Sequence, residues 1–349
     1  MHVLTFHEGS DVDYPNVSIH RIRRPPGCRN IRPGFSVKKA ICDIFLFLKA
    51  VRLRQRLQPD LVHAVEEAAF MAALGHTPFV YDMDSCLSQQ LKEAGWPASF
   101  LAPLAHRLEQ HAMRKALLVI AVCPALAEIA KACRAREVHL LPDISLLSDT
   151  TEDSQVLGDI DLQETCFMYI GNLQPYQGVD LLIDAFHLAA QRDDGICLLV
   201  IGGNKDDIHR CNEKVLALGI QDHVIFAGPR PVSQLADMLA RADVVVSPRI
   251  SGINTPMKIY SYLDSGKPLL ATRLPTHTQV LTDEVARLAD PTPEALAKAI
   301  LKLAEDEDGR QELGARGKEF AQRFHSYSAF QKRVGEIYGF LEDTIDPGQ

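Results

Sequence analysis

The chain alternates short runs of β-branched and apolar residues with longer stretches in which apolar residues recur at helical spacing. In the first half, the runs that predict strands lie at residues 3–6, 17–19, 61–64, 79–81, 118–122 and 138–141. In the second half, the predicted strands lie at residues 167–170, 197–201, 224–226, 244–246 and 268–271, and predicted helices alternate with them up to about residue 325. Such alternation is typical of parallel sheets with helices on both faces. The pattern predicts two doubly wound α/β domains, each binding ligands outside the carboxyl ends of its strands.

An acidic, polar stretch at residues 143–164 separates the two series and predicts an interdomain linker. A length of 349 residues also fits about two domains. We expect a first domain over residues 1–148 and a second over residues 149–327. A final amphipathic helix, over residues 328–349, is expected to return to the first domain.

The composition is that of a globular protein, with 46% hydrophobic and 23% charged residues, which excludes a disordered chain, a coiled coil and a collagen. A net charge of −8 argues against a general nucleic-acid binder. None of the eight cysteines forms a C-x-x-C pair, so we expect reduced thiols in a cytoplasmic protein and no metal site. No apolar run approaches the roughly 20 residues that cross a bilayer.

Two segments of the second half predict an anion site. Residues 170–180 read as a strand, a glycine-bounded loop and a helix, whose free N–H groups can hold an anion, although the glycines fit ordinary turns equally well. In residues 247–260, Asn254 or Thr255 is predicted to cap a helix that begins at Pro256. Lys258 in that helix favours a diphosphate. The alternative is a well-capped helix with a solvated lysine.

The stretch from about residue 165 to 280 resembles the donor half of the GT-B glycosyltransferases, specifically glycosyltransferase family 4. The motifs that carry the resemblance are Y-I-G-N-L-Q-P-Y-Q-G-V-D-L-L-I-D-A-F, L-L-V-I-G-G, V-I-F-A-G-P-R-P, A-D-V-V-V-S-P-R and K-I-Y-S-Y-L-D-S-G-K-P-L-L-A-T, in this order. The first half is more loosely similar to the acceptor domain of the family, through P-D-L-V-H-A-V-E-E and P-F-V-Y-D-M-D-S.

The resemblance implies two Rossmann-like domains facing a cleft and a retaining, metal-independent transfer of a sugar from a nucleotide-sugar to a glycan or lipid-linked acceptor, with no cofactor beside the donor. The implied donor-binding residues are Gly171, Asn172, Gln177, Gly203, Arg230, Arg249, Asn254, Thr255, Lys258 and Ser261.

This chain departs from the family pattern at four positions. The usual arginine and lysine of the first loop are Asn172 and Gln177, and the two usual glutamates fall at Ile253 and Ser261. A catalytically silent nucleotide-sugar-binding relative, or a partner subunit of an active transferase, is therefore the alternative. A sugar-nucleotide epimerase of the same fold is less favoured, because the motifs show no acid–base pair around the sugar.

Polar residues follow two predicted strands of the first half. His63, Glu66 and Glu67 lie at or after the end of one strand, and Asp82 and Asp84 come after the next. A carboxylate at such a place can orient an acceptor hydroxyl or take its proton. We predict that Asp82, Asp84 and His63 are catalytic and that Glu66 and Glu67 bind the acceptor. The alternative is carboxylates that cap helix starts beside a packed histidine.

The N-terminus raises two further expectations. Family members begin with a strand, a glycine-rich loop and a helix ahead of the strand that residues 2–9 resemble. We therefore expect a first domain that lacks this unit, with either a gap in its sheet or neighbouring strands that close up. Either the true start lies upstream or the chain is a truncated, inactive relative. The basic segment 21–29, with Arg32, Lys38 and Lys39, precedes an apolar run at residues 41–48. This combination predicts peripheral contact with the inner face of an anionic membrane. The alternative is a solvated loop followed by a core helix.

Overall fold

The computed structural model describes residues 1–31, 36–93, 98–147 and 165–345. The chain divides into two compact units, Met1–Leu141 and Pro142–Gln349. Arg32, residues 148–164 of the expected linker and the expected domain boundary lie outside the described residues. The return of the last helix to the first domain stays a prediction.

The first unit contains two separate parallel sheets. Strands β1 (His2–Thr5) and β2 (Ser18–Arg21) form one, and the other has the order β3-β4-β5-β6. The strands of the larger sheet are β3 (Val62–Val65), β4 (Phe79–Met83), β5 (Leu118–Ala121) and β6 (Val138–Leu140). The helices are α1 (Val37–Leu57), α2 (Ala68–Ala73), α3 (Leu87–Glu93), α4 (Ala102–Lys115) and α5 (Pro124–Ala132), with a 3-10 turn at Ala98–Leu101.

Helix α1 ties the two sheets of the first unit together. Ser36 caps its first turn by accepting a hydrogen bond from the Lys39 N–H at 3.2 Å. Lys39 pairs with Glu67 just after β3 at 2.5 Å, and Lys49 donates to the carbonyl of Arg21 at the end of β2. The helix is therefore anchored at both sheets by its lysines.

The second unit has one six-stranded parallel sheet of order β12-β11-β10-β7-β8-β9. Its strands are β7 (Thr165–Ile170), β8 (Ile196–Ile201), β9 (Val224–Gly228), β10 (Val244–Ser247), β11 (Leu269–Thr272) and β12 (Arg287–Ala289). The helices are α6 (Val179–Ala190), α7 (Lys205–Leu218), α8 (Leu235–Ala240), α9 (Lys258–Asp264), α10 (Pro275–Thr278), α11 (Pro293–Glu305), α12 (Glu307–Phe324) and α13 (Tyr327–Ile345), with 3-10 turns at Pro175–Gln177 and Val232–Gln234.

Strand β7 lies inside two cores, one on each face of this sheet. Phe167 and Tyr169 pack into one core, and Cys166 and Met168 pack into the other. A strand buried on both faces reads as a continuous apolar run, which is why the sequence pattern identifies it. The sequence did not predict α10 and β12, because elements of four and three residues are too short to show a period.

Two expectations from the composition can be compared with the structure. All eight cysteines are buried and free of disulfides. None of the helices formed by the described residues is long and apolar enough to cross a membrane.

Two helical glycines provide a test of the packing in the second unit. A Cβ added to Gly314 of α12 would lie 2.0 Å from the carbonyl oxygen of Gly266, whereas one added to Gly335 of α13 would meet nothing within 4 Å. We expect Gly314→Ala to destabilise the protein by about 1–3 kcal/mol through overpacking. Gly335→Ala should be neutral or stabilising by up to about 1 kcal/mol. Calorimetric melting of both variants checks this, and equal shifts in Tm would contradict the packing.

Candidate functional site

The carboxyl ends of β7 and β10 lie side by side at the point where the strand order of the second sheet reverses. From β7 the chain continues to β8 and β9 on one side, and from β10 it continues to β11 and β12 on the other. The two segments that leave this point diverge to opposite faces, which opens a place for a ligand. Gly171 and Gln177 follow β7, and Arg249 and Lys258 follow β10. The fold thus gathers most of the predicted donor residues.

Lys258 is the residue around which this site is arranged. Its Nζ lies 4.1 Å from the ring centroid of Tyr169 and donates to Oε1 of Gln177 at 3.3 Å. A Cβ on Gly171 would come within 2.6 Å of this Nζ, so the glycine provides the space for the ammonium. Burial, and then the nearby charge of Arg249, lower the pKa of Lys258 to about 7. A cation held against uncharged groups is prepared for an anionic ligand.

The loop after β7 is tied to the segment after β10. The carbonyl of Pro248 would lie 1.9 Å from a Cβ on Gly178, a residue with φ +74°, so only glycine permits this approach. The Ile250 N–H donates to the carbonyl of Tyr176 at 3.0 Å, and the ring of Tyr176 stacks under the Arg249 guanidinium, 5.2 Å from its centroid. Gly178 therefore serves the packing of the two loops.

Asn172 and Arg249 make hydrogen bonds within their own loops. Asn172 accepts from the Gln174 N–H at 3.2 Å, and its carbonyl accepts from the hydroxyl of Tyr169 at 2.5 Å. Arg249 donates to the carbonyls of Ser251 at 2.8 Å and Asn254 at 3.0 Å. Both side chains shape the site, and their contact with a donor stays a prediction.

The prediction that Asn254 or Thr255 caps a helix beginning at Pro256 is wrong. Helix α9 begins at Lys258, and no side chain caps it. The Ile259 N–H bonds to the carbonyl of Pro256 at 3.1 Å, which is an i to i+3 turn, so the α-helical pattern starts two residues later than expected. The hydroxyl of Thr255 is buried and has no hydrogen-bond partner in the described part of the chain.

The remaining predicted donor residues lie apart from Lys258 or are engaged elsewhere. The hydroxyl of Ser261, a buried residue of α9, accepts from the Leu146 N–H at 2.9 Å. Gly203 forms the turn after β8, where a Cβ would lie 2.6 Å from the side chain of Leu173. Arg230 is exposed after β9, two strands from β7. The roles of these residues stay predictions.

In the first unit, predicted catalytic residues gather at the carboxyl ends of β3 and β4, which are adjacent parallel strands. Nε2 of His63 lies 2.9 Å from a carboxylate oxygen of Asp82. The Glu66 N–H donates to the Asp82 carbonyl at 3.0 Å, with Glu66 in the left-handed region at φ +53°. Burial, and then the charge of Asp82, raise the pKa of Asp84. The strand pairing therefore brings His63, Glu66 and Asp82 together.

The two predicted acceptor-binding glutamates have different surroundings. Glu66 accepts from the Ser85 hydroxyl at 2.8 Å, and its other carboxyl oxygen is buried without a partner in the described residues. Burial raises the pKa of Glu66 to about 7. Glu67 instead pairs with Lys39 of α1. Within residues 1–31, 36–93, 98–147 and 165–345, no three His, Cys, Asp or Glu side chains are placed to hold a metal.

Sequence reasoning missed three residues in or directly after α10, two of which contact the Arg249 loop. Thr276 donates to the carbonyl of Asn254 at 2.5 Å, and Gln279 donates to the carbonyl of Ile253 at 2.8 Å. His277 is buried between these two. The one available signal was the polar run T-H-T-Q shortly after a predicted strand.

Two family models match the chain: glycosyl transferases group 1 over residues 151–320, and glycosyltransferase family 4 over residues 1–143. The D-inositol 3-phosphate glycosyltransferase of Corynebacterium diphtheriae is 28% identical over 196 residues, 54% of this chain and 45% of that protein. The phosphatidyl-myo-inositol mannosyltransferase of Mycobacterium leprae is 26% identical over 167 residues, 47% of this chain and 43% of that protein. The chain spans about half the length of the curated relatives it matches.

Solved structures of low sequence identity share the fold. The sucrose-phosphate synthase of Thermosynechococcus elongatus has a TM-score of 0.78 at 17% identity, covering 97% of this chain and 89% of that one. Alr3699/HepE of Anabaena, in complex with UDP, has a TM-score of 0.72 at 18% identity, covering 93% of this chain and 86% of that one. These likenesses confirm the predicted GT-B fold of Rossmann-like domains.

The raised pKa of Glu66 predicts a pH-dependent cost to stability. Between its ordinary pKa and about 7, the folded state holds a proton that the unfolded state has lost, so stability falls as pH rises through this window. Glu66→Gln should therefore raise the free energy of unfolding at pH 8 more than at pH 5, by up to about 2 kcal/mol. Glu128→Gln, at an exposed carboxyl of the same unit, is the control. Equal shifts for Glu66→Gln at both pH values would contradict the buried carboxyl.

Proposed function

The chain belongs to the group 1 glycosyltransferases of glycosyltransferase family 4, and from this premise we propose that it transfers a sugar from a nucleotide-sugar to a glycan or lipid-linked acceptor. The transfer retains the configuration of the anomeric carbon and uses neither a metal nor another cofactor. These last features rest on the family resemblance of the motifs. The nucleoside diphosphate is the leaving group, and the acceptor hydroxyl is the nucleophile.

The observation that carries this proposal is the position of Lys258. As the bond between sugar and diphosphate breaks, negative charge develops on the diphosphate, and a prearranged cation lowers the barrier by stabilising that charge. Lys258 places its ammonium at the reversal of strand order, against Tyr169 and Gln177. An arriving diphosphate restores the proton affinity that burial weakens, so the lysine is fully charged in the complex.

Lys258 also supplies the positive charge that the loop after β7 lacks in this chain. The family's usual lysine in that loop is Gln177 here, yet the Lys258 ammonium comes within 3.3 Å of the Gln177 amide oxygen. A lysine at either position can therefore place its charge at nearly the same point. Anabaena Alr3699/HepE, which has this fold, was solved with UDP and with UDP-glucose, and a nucleotide-sugar of this kind is our first choice of donor.

The acceptor hydroxyl is assigned to the carboxyl ends of β3 and β4. Asp82, hydrogen-bonded to His63, is a carboxylate that can orient a hydroxyl or take its proton. Asp84 and Glu66 add carboxyl groups beside it, so the site favours an uncharged hydroxyl over a phosphate at the point of attack.

Contact with an anionic membrane surface is the proposed route to a lipid-linked acceptor. The outward face of α1 is apolar over its first turns, where Val37, Ile44 and Leu48 are 73%, 59% and 50% exposed. Residues 1–60 hold 11 Lys/Arg against 5 Asp/Glu. A helix with an apolar outward face beside basic residues lies in the plane of a membrane surface.

A nucleotide-sugar-binding relative without turnover is the second candidate. Ser261, one of the two positions where the family has a glutamate, is buried and engaged with Leu146. Titration calorimetry with UDP, GDP and their sugars, together with a donor hydrolysis assay, separates the two functions. The transferase predicts binding and slow hydrolysis, and the silent relative predicts binding alone. Absence of binding by any nucleotide would contradict both.

Charge relocation in the donor site gives a sharper prediction. Lys258→Met keeps an apolar chain of similar length and should raise the Kd for UDP at least about tenfold, since it removes a charge-assisted contact. Adding Gln177→Lys to this variant should restore most of the affinity, because the two side-chain ends meet at 3.3 Å. Lys302→Met, at an exposed lysine of the same unit, is the matched control for net charge. Unchanged UDP affinity in Lys258→Met would contradict the proposed site.

Membrane contact is tested by sedimentation with vesicles of phosphatidylcholine containing phosphatidylserine. Wild type should sediment with these vesicles and not with pure phosphatidylcholine. A variant with Ile44→Ser and Leu48→Ser should lose most of this binding, because it removes apolar surface that is already exposed. Equal sedimentation of variant and wild type would exclude α1 as the contact.

A further inference from the structure

The segment between β10 and α9, residues 248–257, contains neither helix nor strand, yet its carbonyls are held by side chains. The carbonyl of Arg249 accepts from the hydroxyl of Thr272 at 2.5 Å. The Arg249 guanidinium binds the carbonyls of Ser251 and Asn254. A ten-residue connection at a ligand site is ordinarily among the mobile parts of a protein. Here side-chain hydrogen bonds define its conformation.

Two further bonds from outside the loop come from α10 and from Gln279, the residue directly after it. The Thr276 hydroxyl donates to the Asn254 carbonyl, and the Gln279 amide donates to the neighbouring carbonyl of Ile253. These two residues lie three positions apart, Thr276 within α10 and Gln279 at its C-cap, so both donors face adjacent carbonyls of the loop.

His277 fixes α10 itself to the ends of the two strands beside the site. Nε2 lies 2.9 Å from the hydroxyl of Ser247 at the end of β10, and Nδ1 lies 2.9 Å from the carbonyl of Thr272 at the end of β11. The ring is fully buried, and burial lowers the pKa of His277 to about 4, so it stays neutral over the physiological range. The support is therefore independent of pH near 7.

We propose that Thr276, His277 and Gln279 form a clasp of positioning residues, which holds the loop 248–257 in its ligand-binding shape before the donor arrives. The loop leads directly into Lys258, so its shape sets where the ammonium lies relative to Tyr169 and Gln177. The proposal rests on the proposed function for the identity of the ligand. It assigns to α10 a role in donor affinity that acts through the loop and not through contact with the donor.

The physical reason for such a clasp is the entropy of binding. A loop that must be ordered by its ligand weakens the observed affinity, and a loop ordered in advance does not. Loss of one clasp bond should therefore speed local opening of the loop and weaken donor binding together. A purely architectural bond would lower the melting temperature without changing affinity.

Thr276 provides the sharpest test, because substitution by valine or by serine separates the effect of its shape from that of its hydroxyl group. Thr276→Val keeps the shape and removes the hydroxyl, and Thr276→Ser keeps the hydroxyl. Gly314→Ala destabilises the same unit by overpacking against Gly266, outside the loop, and controls for lost stability. Two measurements are made on the full chain: hydrogen exchange of peptides covering residues 248–257, and the Kd for UDP by calorimetry.

In Thr276→Val, we expect the hydrogen-exchange rate of the loop amides to rise about fivefold. The Kd for UDP should rise by a similar factor. Thr276→Ser and Gly314→Ala should match wild type in both measurements. Unchanged exchange in Thr276→Val overturns the clasp, and faster exchange with unchanged UDP affinity overturns its positioning role. Failure of wild type to bind any nucleoside diphosphate would instead overturn the proposed function, and the exchange result would still decide whether α10 holds the loop.

Discussion

The candidate donor site of the second unit is built around a lysine ammonium, which lies beside an aromatic face and an amide oxygen. Burial of a cation is unfavourable, and the lowered pKa of Lys258 expresses that cost. Gly171 supplies the space, Tyr169 and Gln177 supply weak uncharged partners, and the loop from β10 sets the direction of approach. The arrangement is stable enough to fold and becomes favourable when an anion arrives, which is the behaviour required of a site for a departing diphosphate.

In both units, charged side chains lie at the carboxyl ends of parallel strands, but the charges have opposite signs. In each, polar side chains gather where neighbouring parallel strands end, because all strands of such a sheet end at the same edge. In the second unit this edge holds the cation Lys258, and in the first it holds the carboxyl groups of Asp82 and Glu66. In the proposed function, Lys258 stabilises the leaving group, and the carboxyl groups orient the attacking hydroxyl.

The sequence predicted the strands well where burial on both faces made them continuous apolar runs, as in β7 and β8. It also gave Lys258 and Gln177 as candidate donor residues, but it did not predict their mutual contact, because 81 residues separate them. The predicted helix cap at Asn254 or Thr255 is wrong, because local propensity cannot show that the chain makes a turn at Pro256. The sequence did not predict the hydrogen bond of Thr276 for a similar reason. Its partner carbonyl lies 22 residues away, in a loop without periodicity.

The most direct test of the account is a crystal structure of the protein with UDP. If Lys258 holds the donor, an oxygen of the diphosphate will lie within about 3 Å of the Lys258 Nζ, at hydrogen-bond distance. The loop from Arg249 to Lys258 will keep the conformation that it has without UDP. A diphosphate bound at another edge of the sheet, with Lys258 still bonded only to Gln177 and Tyr169, would contradict the account.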